Sequence, residues 1–129
     1  MGVLHDIVVD ASHPAAVARF WASALDGYSV APYDDAELAR LRAMGIAGPE
    51  DDPSVFVVPH GNGPRLCFQL VPESKRGKNR VHLDLRATDV AAEAVRLTEL
   101  GASVLARYES HAHLADIEGN EFCVFPLAS

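Results

Sequence analysis

The stretch Arg80-Val81-His82-Leu83-Asp84-Leu85-Arg86 decides how this chain reads, together with Glu121-Phe122-Cys123-Val124-Phe125 further on. Both segments alternate polar and apolar residues. Successive side chains of a strand point to opposite faces, so His82, Asp84 and Arg86 share one face of the first segment, and Glu121 and Cys123 share one face of the second. An imidazole and a carboxylate facing the same cavity are ligand types for a divalent ion such as zinc, iron, manganese or nickel. The same two groups also suit a plain hydrogen bond across a sheet, and ion pairs often mimic sites. The rest of the chain has to decide.

Working outward, the segment belongs to an internal repeat. His5-Asp6-Ile7-Val8-Val9, a helical run and Gly27-Tyr28-Ser29-Val30 are echoed by His82-Leu83-Asp84-Leu85-Arg86, a second helical run and Gly101-Ala102-Ser103-Val104. In the first half Pro14 suits an opening helical turn, Val17, Phe20, Trp21, Ala24 and Leu25 fall on one stripe, and Gly27 ends the run. In the second, Thr88 or Asp89 caps a helix whose stripe is Val90, Ala94, Leu97 and Leu100, with Gly101 as the stop.

Three further strands are expected in the first half, near Tyr28 to Ala31, Val55 to Val58 and Leu66 to Val71. An inserted helix interrupts them: Asp34 with Glu37 forms a capping-box-like start, Leu38, Leu41 and Ile46 supply apolar spacing, and Gly45 with Gly48-Pro49 closes it. The second half ends in strands near Ser103 to Tyr108, His111 to Asp116 and Glu121 to Phe125. Each half therefore reads βαβββ, an α+β pattern.

The opening Asp10-Ala11-Ser12-His13-Pro14 through Phe20-Trp21, the stretch Gln69-Leu70-Val71-Pro72-Glu73-Ser74-Lys75 with Lys78-Asn79-Arg80-Val81-His82-Leu83-Asp84-Leu85, and the closing Asp116-Ile117-Glu118-Gly119-Asn120-Glu121-Phe122-Cys123 resemble a glyoxalase-like domain of the vicinal oxygen chelate superfamily. The resemblance spans nearly the whole chain. It implies two βαβββ modules forming a partly open, cupped sheet barrel with helices outside. The expected division is a single domain over 1–129, with module one about 1–72, a linker about 73–79 and module two about 80–129.

The resemblance also implies a metal site with one ligand from each of four strands. His82 and Glu121 match the two ligands of module two. In module one the matching position is Asp6, with His5 inward only after a register slip, and the strand around Leu66–Leu70 offers Cys67 and Gln69 rather than a carboxylate. A set of His82, Glu121 and Asp6 could hold one divalent ion (Zn, Ni, Mn or Fe) or none, with Glu121 as metal ligand or as catalytic base. Gln69, Cys67 and Arg80 are the expected ligand-binding residues, Arg80 drawing an anionic group to the cavity mouth. Asp84 is expected to pair with Arg80 or Arg86. His111 and His113 share a face but stand at no matching ligand position.

Three functions follow from this set. One is a metal-dependent lyase, isomerase or epimerase acting on a small carbonyl compound. Another is an iron-dependent ring-cleaving dioxygenase, which wants two His and one carboxylate on one side of the ion. The third is a metal-free pocket that sequesters an antibiotic or metabolite, where Tyr28, Tyr33, Phe56 and Tyr108 could stack on a flat ligand.

Composition sets the outer limits. A chain of 129 residues with 49% apolar content buries one core. Eleven basic against 18 acidic residues give a net charge of −7, which argues against nucleic acid. The sequence has no apolar run of membrane-spanning length and no signal or myristoylation pattern, so a cytoplasmic protein is expected. Cys67 and Cys123 are expected to stay free there. Exposed strand edges point to a homodimer.

Overall fold

The computed structural model describes residues 1–127. Residues 1–74 form one compact unit and the chain from Lys75 onward a second; the expected terminus at 129 lies outside the described residues. Module one runs β1 (Asp6–Ala11), α1 (Pro14–Ala24), β2 (Tyr28–Val30), α2 (Asp35–Ala43), a 3-10 turn (Pro49–Asp51), β3 (Ser54–Pro59) and β4 (Arg65–Leu70). Module two runs β5 (Leu83–Ala87), α3 (Val90–Glu99), β6 (Ser103–Arg107), β7 (Ala112–Ala115) and β8 (Glu121–Pro126).

The two sheets have one topology, β1-β4-β3-β2 and β5-β8-β7-β6. In each, the first strand pairs parallel with the last and the other pairings are antiparallel. This is the expected α+β pattern of two βαβββ modules, with α2 as the insertion.

Local chemistry explains the elements. Pro14 occupies the first turn of α1, where its missing N–H loses nothing, and Val17, Phe20, Trp21 and Ala24 are buried as the stripe requires. Phe20 and Trp21 meet edge to face at 5.4 Å. Asp34 caps α2 by accepting from the Glu37 N–H at 2.9 Å, and Asp89, not Thr88, caps α3 by accepting from the Ala92 N–H at 3.0 Å. The core of module one gathers Val17, Leu41, Val57, Leu66 and Phe68, and that of module two Ala94, Leu97, Leu114, Phe122 and Val124. Burying a side chain of the Leu or Phe class contributes about 1.5–3 kcal/mol.

A strand start and a bulge depart from the sequence pattern. Strand β5 starts at Leu83 rather than Arg80, because the Asn79 side chain takes the place of an extended ladder. Its Oδ1 accepts from the Glu121 N–H at 3.1 Å and its Nδ2 donates to the Val81 carbonyl at 3.0 Å. In β6 a bulge falls between Val104 and Ala106. The extra residue reverses the alternation beyond it, so Val104 pairs with Leu114 while Ala106 pairs with His113.

Candidate functional site

The face of the module-two sheet away from α3 carries its chemistry. Leu83, Leu85, Leu114, Phe122 and Val124 alternate toward the helix, which leaves Asp84, His113, Glu121, Cys123 and Phe125 on the other side. The turn before β8 fixes where Glu121 stands. Buried Asp116 accepts from the Glu118 and Asn120 backbone N–H groups, both at 2.9 Å, and from the Asn120 side-chain amide at 3.0 Å. Gly119 supplies the positive φ of 87° that this turn needs.

A shallow pocket of about 210 Å³ opens on this face, lined by Lys78, His82, Tyr108, His111, His113, Glu121 and Cys123. The Glu121 side chain is only 14% exposed, and its Oε1 lies 3.1 Å from Lys78 Nζ and 2.9 Å from His113 Nε2. The Asn79 N–H donates to Oε2 at 3.3 Å. The Lys78 ammonium first, and the Asn79 N–H second, hold the Glu121 carboxyl below its ordinary range. Along one wall the Tyr108 ring stacks on His111 at 4.7 Å and His111 stacks on Phe125 at 4.5 Å. Ser110 Oγ lies 2.7 Å from His111 Nδ1 and fixes that ring.

His82 and Glu121 thus line one pocket. His82 stands just ahead of β5, its side chain 54% exposed, with Nε2 at 3.3 Å from Asp84 Oδ1. The expected partner of Asp84 was an arginine. Instead Arg86 donates to the Leu127 carbonyl at 3.3 Å, and Arg80 is exposed in the loop before β5 and does not line the pocket. His82, Asp84 and Cys123 form a group whose potential ligand atoms all lie within 4.8 Å of one another. Cys123 faces Asp84 across the ladder. Burial first, and the Asp84 charge second, push its thiol up.

In module one Asp6, Cys67 and Gln69 also share one sheet face, and each is taken up locally. Arg65 clamps Asp6 through two hydrogen bonds of 2.7 and 3.0 Å, and this bonding holds the Asp6 carboxyl below its ordinary range. The same guanidinium lies 4.4 Å from the centre of the Phe56 ring. Gln69 donates to Asp10 at 2.8 Å. Cys67 is buried, with its thiol pushed up by that burial. His5, on the exposed segment before β1, reaches Asp6 at 3.8 Å.

A second pocket in module one, about 190 Å³, lies between α2 and β3 and includes Tyr33, Arg40, Asp52 and Phe56. Asp52 is buried and accepts from the Tyr33 hydroxyl at 2.8 Å and from the Ser54 N–H at 3.0 Å. These bonds pin the insertion to the sheet.

The set implied by the resemblance fits a divalent ion poorly. Two of its carboxylates already hold a cationic side chain, Asp6 through Arg65 and Glu121 through Lys78. Sequence reasoning missed Arg65, His113 and Lys78 as the partners that settle these charges. His113 was within reach: it shares a strand face with His111, and antiparallel pairing of the last two strands sets that face beside Glu121 and Cys123.

Residues 6–125 match the profile of the glyoxalase-like domain family. No curated protein matches in sequence. Among solved structures, the fold is similar to a glyoxalase/bleomycin resistance protein/dioxygenase family enzyme from Burkholderia phytofirmans, at 14% identity, 98% and 99% coverage of the two chains and a TM-score of 0.69. It is also similar to the trypanothione-dependent glyoxalase I of Leishmania major (15% identity, 98% and 87% coverage, TM-score 0.64). A third is an antibiotic-binding protein from Streptomyces (18% identity, 98% and 96% coverage, TM-score 0.58). With the profile running from β1 into β8, this chain belongs to the glyoxalase-like domain family of the vicinal oxygen chelate superfamily.

Proposed function

We propose that this protein binds a small organic molecule in the module-two pocket and sequesters it, as an antibiotic- or metabolite-binding member of its family. The observation that carries this reading is the state of Glu121: Lys78, Asn79 and His113 satisfy its carboxylate, so it serves as an anchor of the pocket wall rather than an open ligand. The exposed Tyr108 ring, stacked on His111, offers a flat ligand a surface to continue the stack. The antibiotic-binding relative from Streptomyces supports the same reading by its fold. In this reading the two modules act as one domain, in the cytoplasm, as a homodimer. Sedimentation velocity showing a single-chain mass would remove the dimer.

A metal-assisted lyase, isomerase or epimerase acting on a small carbonyl compound is the second reading. Two observations favour it. His113 is oriented by a carboxylate at 2.9 Å, the usual arrangement of an imidazole base, and His82 lines the same pocket. A divalent ion would polarise the carbonyl oxygen, but Glu121 would first have to release Lys78 to take it. An iron-dependent ring-cleaving dioxygenase would need two imidazoles free on one side of an ion, whereas His82 leans on Asp84 and His113 on Glu121.

The test is a thermal-shift and calorimetric screen of chelator-treated protein against flat aromatic antibiotics and small 2-oxo carbonyl compounds. A ligand present at a hundred times its Kd should stabilise the protein by about 2.7 kcal/mol. Tyr108→Ala and Lys78→Ala should weaken that ligand, and Gln69→Ala should not. Turnover of a carbonyl compound that appears only with added metal would overturn sequestration in favour of the second reading.

A further inference from the structure

We infer that module two carries a site for a thiophilic divalent cation of the zinc class, built from the Cys123 thiolate, the His82 imidazole and the Asp84 carboxylate. This set shares only His82 with the one the family resemblance implies, and all of it lies in one module. Asp84 and Cys123 are direct partners on adjacent parallel strands, and His82 precedes β5 on the same side, its Nε2 3.3 Å from Asp84 Oδ1. One ligand atom from each residue falls within 4.8 Å of the others. In a tetrahedral zinc site with Zn–S near 2.3 Å and Zn–N near 2.0 Å, neighbouring ligand atoms sit about 3.5 Å apart. Closing the set therefore takes movements of about 1 Å, and the side chains free to make them are His82 and Asp84, 54% and 57% exposed.

The cation forms a bond to sulfur as the Cys123 S–H proton leaves to solvent, and it replaces the unfavourable proximity of Asp84 to the thiolate with two attractions. Softness selects the ion: thiolate and imidazole together prefer zinc or cobalt over magnesium or calcium. Three protein ligands leave one position open, and His82 and Cys123 line a pocket that also holds Lys78, His113 and Glu121. Module one supplies the contrast, because Val8 faces Cys67 where Asp84 faces Cys123.

The experiment uses the full chain, purified without a metal-binding tag, stripped with chelator and desalted. Cobalt(II) is added and followed by absorbance, and alkylation of each cysteine by iodoacetamide is followed by mass spectrometry with and without zinc. One equivalent of cobalt should produce a thiolate-to-cobalt charge-transfer band, and zinc should protect Cys123 while Cys67 reacts at an unchanged rate. Cys123→Ser should lose the band, and Cys67→Ser should keep it. His82→Ala and Asp84→Asn should each weaken binding by at least about the 10–100-fold that loss of a supporting partner costs. Absence of both band and protection in the parent overturns the proposal, as does a band that survives Cys123→Ser. A loss as large on Glu121→Gln as on Asp84→Asn also overturns it, by placing the ion at the position implied by the family. The alkylation arm needs no variant to fold, and the ligand screen on metal-free protein succeeds or fails independently.

Discussion

In module one the buried Cys67 faces Val8 and sits next to a closed Asp6–Arg65 pair, whereas in module two Cys123 faces Asp84 and sits next to Glu121, which holds Lys78 and His113. Equal topology gives the two cysteines equal places, each on the last strand of its module opposite the parallel first strand. The difference is in the neighbours. One apolar-to-acid change beside the cysteine, and a carboxylate where module one has Arg65, give module two a face on which imidazoles pair with carboxylates. A repeated fold fixes equivalent strand positions, and a few side chains make the two copies chemically different.

The most severe way to probe this equivalence is through the cores. Phe68→Ala and Phe122→Ala each remove a ring that is at most 1% exposed, and each should cost about 3–5 kcal/mol in urea unfolding. A loss under half of that at either position would mean that the two cores are not comparably packed. The stop glycines follow. Gly27 has φ +74° with open space around it, so Gly27→Ala should cost about 1–2 kcal/mol for the left-handed backbone alone. At Gly101 (φ +119°) a new Cβ would meet Ile117 Cγ2 at 2.7 Å, so Gly101→Ala should lower the midpoint further than Gly27→Ala. Equal effects would show that Ile117 yields without cost.

The smallest effect separates the two carboxylates by pH. Asp6 and Glu121 are both held below their ordinary values, by Arg65 and by Lys78 with Asn79 respectively. Each binds its proton more weakly in the folded chain than in the unfolded one. The stability it contributes is complete above the ordinary value, 3.8 for Asp6 and 4.5 for Glu121, and is lost as the pH falls through the lower folded value. Asp6→Asn and Glu121→Gln should each flatten the acid limb of a stability–pH curve and leave its neutral slope unchanged. Lys78→Met should move the Glu121 midpoint upward in carboxyl-detected NMR and leave Asp6 alone. A joint shift would mean that the two sites are coupled.

The faces of single strands were legible from sequence, because alternation is a property of one segment: Asp84 opposite Leu83 and Leu85, and Glu121 with Cys123 opposite Phe122, needed nothing else. The cap at Asp34 and the stops at Gly27 and Gly101 were legible for the same reason, since each is set by residues a few positions away, and the start of the second module's helix was narrowed to Thr88 or Asp89. The repeat followed from these, and with it the βαβββ pattern of each half. What the chain could not disclose by itself were the partners across space. Arg65 on Asp6, Lys78 on Glu121 and His82 on Asp84 depend on register between strands or on where a strand begins. The bulge before Ala106 reverses an alternation that the sequence displays unbroken, and Asn79 ends a strand that the pattern would continue to Arg80. Local spacing determined which residues face together; only the tertiary structure decided which charges were already satisfied, because pairing energies act between segments that are distant in sequence.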